Sequence, residues 1–425
     1  MQSIVIVGGG AGGLEAATRL GNKLGKKGKA KITLVDRTRS HIWKPLLHEV
    51  ASGSLDPSID GVIYHAHGVQ HGYNFIHGEV TQLALKEQRL TVQNTRRGEC
   101  IEQEITFDQL ILAVGSVSND FKTTGVAEHC RFLDRVEQAN VFHHELIDRL
   151  TDLNQSDAGK SLKVAIVGAG ATGVELSAEL HHSATLLKGY GFGNVGSQQL
   201  SITLIEAGER ILPVLGEDIA NAARRELNKL GVQVKEGVRV TAATAEGFLT
   251  ADGSIIESDM LVWAAGIKGP DWLREVADIS LTRSQQIEVD HYLRAKDFDN
   301  VYVLGDCAAF VMDNGKLVPP RAQSAHQMAK NVADNIIANL NGAALTSFKY
   351  VDYGSLVNLA RFTTVGNLMG NLGSGRFFVH GLFARIMYLS LYRMHQTAIH
   401  GIPRTMLLWV VHKLNRFAQP KLKLH

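Results

Sequence analysis

Residues 3–13 read SIVIVGGGAGG, an apolar run that stops at clustered glycines. Leu14 to Leu20 then begins a helix, and Lys31-Ile32-Thr33-Leu34-Val35-Asp36 forms a second strand closed by an acid. The order repeats from residue 162. LKVAIVGAGATG leads into a helix from Val174 to Leu187, and Ser201-Ile202-Thr203-Leu204-Ile205-Glu206 again ends in an acid. Strand, glycine turn, helix, strand and acid together make the dinucleotide-binding fingerprint. Gly8 and Gly168 permit the tight turn, Gly10 and Gly170 let bare backbone approach a pyrophosphate, and Gly13 and Gly173 let the helix close on its strand. The helix N-terminus then offers free N–H groups and partial positive charge to the phosphates. Asp36 and Glu206 stand where a ribose is held through its hydroxyls. Glu206, with Glu209 nearby, repels a 2′-phosphate while Arg210 softens that field, so NADH is expected over NADPH.

Around these two units the 425 residues are 45% apolar and 20% charged, enough for two or three domains with ordinary cores. That balance excludes a disordered, collagenous or disulfide-scaffold chain. Cys100, Cys130 and Cys307 lie far apart, which rules out a zinc ribbon, an iron–sulfur cluster or a dithiol pair, and no metal is expected. Sparse, unpaired thiols suit a reducing compartment. Met1-Gln2-Ser3-Ile4 enters a strand directly, without a secretory n-region, and no apolar run reaches the roughly 18 residues of a spanning helix. The net charge of +2 hides an asymmetry. No acid follows Asp352 while nine Lys/Arg do, so residues 1–352 carry about −7 and the remainder +9.

Three further strand ends carry information: Leu304-Gly305-Asp306, Leu112-Ala113-Val114-Gly115 and Trp263-Ala264-Ala265-Gly266. The last two read as places where the chain passes between domains. With these residues the sequence resembles the two-dinucleotide-domain flavoprotein reductases. The resemblance implies an α/β fold with two Rossmann-like domains, FAD on the first fingerprint, NADH on the second, and Asp306 at the flavin's ribityl–phosphate region. It implies the division 1–118 (FAD domain, first part), 119–289 (inserted NADH domain), 290–350 (FAD domain, second part) and 351–425 (membrane association).

Disulfide reductases of that superfamily need paired thiols near residues 37–60, and this segment has no cysteine. It holds Trp43-Lys44-Pro45-Leu46-Leu47-His48-Glu49, and downstream lies Pro319-Pro320-Arg321-Ala322-Gln323-Ser324-Ala325-His326-Gln327. With the basic tail, including Tyr388 to His395, these stretches resemble the proteobacterial type II NADH dehydrogenases, single-chain NADH:quinone oxidoreductases that pump no protons. AQxxxQ is the most specific motif. The two prolines set a helix start, and residues four apart share one face, so Gln323 and Gln327 present two amides that can bond a quinone carbonyl without charge. A helix-capping or interdomain polar contact is the other reading of the pair.

Carried over residue by residue, the resemblance gives the FAD site Gly8, Gly10, Ala11, Gly12, Gly13, Asp36, Arg37, Lys44, Val80, Gly115, Asp306, Ala322 and Gln323. It gives the NADH site Gly168, Gly170, Thr172, Gly173, Glu175, Glu206 and Gly266. Lys44 falls near flavin N5, where a cation stabilises the reduced form; otherwise it is a surface lysine. Glu175 suits the helix dipole and is assigned NADH positioning or proton supply, and Glu179 is read as structural. His326 is placed to supply a proton or to serve structure alone.

From Arg376 to His425 there are eight Lys/Arg, five His and no acids. On a helix from Pro403 to Phe417, Leu407, Val410, Val411, Leu414 and Phe417 fall on one side and His412, Lys413 and Arg416 on the other, with Trp409 among them. Arg376 to Gln396 adds Phe377, Phe378, Leu382, Phe383, Ile386 and Leu389. This is the pattern of a basic amphipathic element on an anionic lipid surface, worth about 1 kcal/mol per basic residue near the leaflet. Packing on the body or on a second copy, a homodimer, is the alternative. No recognised nucleic-acid module is present. The expectation is a peripheral enzyme on the cytoplasmic face of the inner membrane, passing two electrons from NADH through FAD to a membrane quinone. A soluble NADH oxidase or ferredoxin reductase, and a flavin redox sensor that binds membrane through its tail, remain open at this level.

Overall fold

Both fingerprints become centres of parallel sheets in the computed structural model, which describes residues 1–96, 98–156, 160–196, 198–359, 363–369, 376–418 and 422–423. The side chains of residues 96, 355, 356, 358, 363–369, 376–389, 413 and 416–418 lie outside that description. The chain folds as two compact units: Met1–Lys44, Gly61–Val117 and Ile267–Val351 in the first, and Pro45–Asp60, Ser118–Gly266 and Asp352–His425 in the second.

In the first unit five strands run parallel in the order Val301–Val303, Gln109–Leu112, Gln2–Val7, Ala30–Asp36, Asn74–His77. A parallel sheet is covered on both faces, so its strands need continuous apolar runs. Ile4, Val5, Ile6, Leu110, Ile111 and Leu112 meet that demand with no solvent exposure. Helix Ala11–Leu20 follows the central strand and packs against helix Ala322–Leu340. An antiparallel meander, Glu79–Ala84, Arg89–Arg96 and Glu99–Thr106, intervenes before the strand at Gln109.

The second unit repeats the plan. Its parallel sheet runs Gln233–Lys235, Leu200–Ile205, Leu162–Val167, Met260–Trp263, and its meander is Val240–Thr244, Gly247–Thr250 and Ile255–Glu257. Phe248 and Trp263 fill the core between them, 6.3 Å apart by ring centroids. Helix Leu47–Ser52 packs on helices Val136–Gln155 and Ala171–Leu187.

The tail opens as strands Gly354–Leu359, Thr363–Met369 and Arg376–His380, an antiparallel meander. Arg376 to His380 is therefore extended, and helix starts only at Gly381. Helices Gly381–His400 and Ile402–Ala418 follow. Among the described residues no helix is long and apolar enough to cross a membrane.

Candidate functional site

Each glycine turn is tight inward and open outward. Gly8 has φ +98° and Gly168 φ +100°, a region an L side chain resists, and a Cβ on either would collide with backbone, at 2.4 Å from Ala113 O and 2.6 Å from Ala265 N. A Cβ on Gly13 or Gly173 would lie 1.8 Å or 2.1 Å from the carbonyl of Gly8 or Gly168. At Gly10 and Gly170, the N-caps, a Cβ would meet nothing within 4 Å. The N–H groups of the helix's first turn, which have no intrahelical partner, thus front open space. A pyrophosphate fits there, and the residues present suit FAD and NADH.

The acids that close the second strands also hold these turns. Asp36 Oδ2 accepts the Gly9 amide at 2.6 Å and Oδ1 accepts Thr38 N and Oγ1, each at 2.7 Å. Glu206 accepts the Ala169 amide at 2.9 Å and the Gly208 amide at 2.8 Å. A carboxylate has about four acceptor sites, so both retain capacity for ribose hydroxyls. Arg210 is turned to the carbonyls of Pro213 and Leu215, at 3.1 and 2.9 Å.

Other expected residues have other surroundings. Gly12 sits at a helix crossing, where a Cβ would meet Leu304 Cδ1 at 2.5 Å and Ala325 O at 3.2 Å. Ala11 is half-buried and Thr172 exposed at their helix N-termini. Val80 is buried in the first meander, and the exposed Arg37 reaches Glu79 at 3.6 Å. Gly115 has φ +69° with open space beside it, whereas Gly266 backs onto the Phe121 ring.

Lys44, Ser116 and Asp306 form a chain. Lys44 Nζ donates to Ser116 O at 2.8 Å, and Ser116 Oγ donates to Asp306 Oδ2 at 2.8 Å. Gln286 Nε2 donates to the Asp306 carbonyl at 2.9 Å. Nothing in the sequence marks Ser116, which is separated from Asp306 by 190 positions. The thiol at Cys307 is pushed up to about 12, and that at Cys130 also to about 12, by burial, so neither offers a thiolate nucleophile at neutral pH.

Helix Ala322–Leu340 begins at Ala322, where Ser324 Oγ donates to Pro319 O at 2.6 Å. Gln323 Nε2 donates to Tyr350 Oη at 2.7 Å. Gln327 exchanges two bonds with Val351, giving Nε2–H to its carbonyl at 2.8 Å and accepting its amide at 2.9 Å. The two amides do share a face, and that face is occupied by residues 350–351. His326 turns elsewhere. Its Nδ1 lies 2.6 Å from Oε2 of the fully buried Glu15, whose Oε1 accepts Arg19 Nε at 2.7 Å.

In the second unit Glu175 and Glu179 are both buried on one helix face. His48 Nδ1 is 3.6 Å from Glu175 Oε2, and Ser54 Oγ donates to Glu179 Oε1. Burial lowers His48 to about 4, against the raising effect of a backbone bond at Pro45, so at neutral pH it is an uncharged neighbour of Glu175.

The last helix is apolar outward. Leu407 and Leu414 are each 63% exposed, with Met406, Trp409, Val410 and Val411 also in solvent, while Thr405 is only 6% exposed. The half-exposed His412 also approaches the body, its Nδ1 3.5 Å from Asp60 Oδ1. Lys423 likewise docks inward, its amide donating to Gly53 O at 2.9 Å and Nζ reaching Asp56 Oδ1 at 3.5 Å.

The chain matches the Pyridine nucleotide-disulphide oxidoreductase family over residues 2–329. A type II NADH:quinone oxidoreductase of Haemophilus influenzae is 44% identical over 444 residues, covering 100% of both chains. That of Staphylococcus aureus is 29% identical over 384 residues, 88% of this chain and 92% of the other. Among solved structures, NDH2 from Plasmodium falciparum in complex with NADH matches with TM-score 0.81 at 18% identity, over 99% of this chain and 100% of that one. The sulfide:quinone oxidoreductase of Aquifex aeolicus matches with TM-score 0.74 at 16% identity, over 94% and 92%. At such identities the structural likeness shows the fold.

Proposed function

The chain belongs to the type II NADH:quinone oxidoreductases of the pyridine nucleotide-disulphide oxidoreductase family, and from that premise we propose how its residues share the work. The activity is transfer of two electrons from NADH to a quinone, with FAD as cofactor and without proton pumping. FAD held at the first turn would supply the hydride-accepting and electron-passing chemistry between NADH and quinone, so no covalent nucleophile is needed from the chain.

The residues divide as follows. The turn at Gly8–Gly13 and the helix end at Ala11 hold the FAD pyrophosphate, Asp36 its ribose, and the Lys44–Ser116–Asp306 chain the ribityl–phosphate and ring end. The turn at Gly168–Gly173 and Glu206 hold NADH, and the buried Glu175 positions it or supplies a proton. Gln323 and Gln327 orient the quinone by exchanging their bonds at residues 350–351 for its carbonyl oxygen. The carrying observation is the pair of glycine turns, each closed by an acid and each open only where a pyrophosphate would lie.

The tail is the lipid contact, and the enzyme is peripheral on the cytoplasmic face of the inner membrane. Support comes from the outward apolar face of Ile402–Ala418 and eight basic residues from 376 to 425. A homodimer through that face is the second reading, favoured by the same exposed side chains. Steady-state NADH oxidation with a quinone series, in neutral and anionic vesicles, tests the proposal. Quinone turnover that rises with anionic lipid supports it; activity indifferent to lipid, with a stable dimer in solution, favours the second reading.

A further inference from the structure

Glu15 is an anomaly in its helix. In Ala11–Leu20 it occupies a position with no solvent exposure, where packing calls for an apolar side chain, and an isolated buried carboxylate is costly. Its two oxygens are taken by Arg19 Nε at 2.7 Å and His326 Nδ1 at 2.6 Å. An ionised carboxylate only accepts hydrogen bonds, so the imidazole nitrogen facing it must carry a proton. His326 therefore keeps Nδ1–H in both protonation states, and Nε2 is the nitrogen left to gain or lose one. The His326 side chain is 24% exposed, so the ring is not sealed from exchange. His326 lies between Gln323 and Gln327 on the helix assigned to the quinone.

We infer that Glu15 is a positioning residue that fixes the tautomer of His326, making Nε2 the atom that delivers a proton to the quinone. This rests on the reading of residues 323–327 as the quinone site. The balance is simple. Reduction of a quinone to a quinol takes two electrons and two protons. NADH supplies, as a hydride, both electrons and one proton, and the remaining proton leaves Nε2 of the imidazolium. His326 is left neutral with Nδ1–H on Glu15, and water recharges Nε2. Arg19 holds the second oxygen of Glu15, which keeps the carboxylate directed at the ring.

Among the described residues, the charged and titratable groups on the elements packed with His326 include Glu15 and Arg19 on the helix against it, Arg321, Lys330 and Asp334 on or capping its own helix, Asp306 on the turn packed against that helix, and Tyr350 on the segment that binds the glutamines. Of these, Glu15 is seen in hydrogen-bond contact with the ring, at 2.6 Å.

The test uses the full-length holoprotein. In 15N-histidine spectra, assigned by difference from H326N, neutral His326 is expected to carry its proton on Nδ1, and in E15Q the proton moves to Nε2. A wild-type spectrum with the proton on Nε2 overturns the inference even if E15Q does not fold. In E15Q the ratio of quinone to ferricyanide turnover falls about tenfold or more, the alkaline limb of its pH profile, where the proton donor is lost, moves to lower pH, and E15Q/H326N is no slower than H326N. Losses that multiply in the double variant, or an unmoved pH profile, overturn it. H326N that leaves the ratio unchanged removes the quinone-site reading itself; H326N slow with E15Q normal removes only the role of Glu15.

Discussion

Glu206 ties the second glycine turn to its own strand end, its Oε2 accepting the Ala169 amide at 2.9 Å. The carboxylate thus shapes the turn before any ribose arrives, and on the proposed NADH reading its negative charge would oppose a 2′-phosphate. Replacing it by Ala removes bonds worth about 2 kcal/mol to a charged acceptor, so KM for NADH should rise about tenfold or more. Discrimination against NADPH should shrink at the same time, measured as the ratio of kcat/KM for the two nucleotides. An unchanged ratio would remove Glu206 from nucleotide selection.

Ser116 links Lys44 to Asp306 through bonds of 2.8 Å each. S116A leaves Asp306 without that donor at a partly buried site, a loss of about 1 kcal/mol. FAD affinity should fall about fivefold, read by flavin release on dilution, while the NADH site keeps its affinity. Equal weakening of both nucleotides would point instead to a general loss of fold.

His48 makes stability depend on pH. Its ordinary value of 6.5 is lowered to about 4 by burial. Between these values the unfolded chain binds a proton that the folded chain refuses, so stability is complete above about pH 6.5 and is lost as pH falls toward 4. At pH 5 the loss is about 2 kcal/mol. His143, likewise lowered to about 4 mainly by burial, adds a similar amount. H48Q should therefore roughly halve the fall in urea midpoint between pH 7 and pH 5. A slope equal to that of the wild type would mean His48 is not buried neutral.

The tail carries a prediction of its own. Replacing the exposed Leu407, Val410 and Leu414 by Ser should abolish sedimentation with anionic vesicles and leave ferricyanide reduction intact. D60N weakens the His412 contact on the inward side and should loosen the helix without removing its apolar face, so vesicle binding survives while protease cuts near residue 401 faster. Vesicle binding that survives the triple Ser variant would remove this helix from the lipid contact.

The two turns were legible because chemistry ties each glycine to a local constraint, and strand–turn–helix units are contiguous in sequence. The antiparallel meander in each unit was not read, and neither was the strand at Arg376–His380, whose residues alone do not distinguish a strand edge from a helix face. Glu15 left a faint signal, an acid among Leu14, Ala16 and Ala17 on a helix with a buried face; its partner lies 311 positions away. His412 shares a helical side with Lys413 and Arg416, and the acid it approaches, Asp60, is distant in sequence. Long-range polar pairs need the fold before they can be seen.

The most direct measurement is an anaerobic titration of the purified protein. The expected result is a flavin spectrum that NADH bleaches and an added quinone restores, with NADPH far less effective. A preparation without flavin after reconstitution with FAD, or a reduced flavin that quinone fails to reoxidise, would contradict the account.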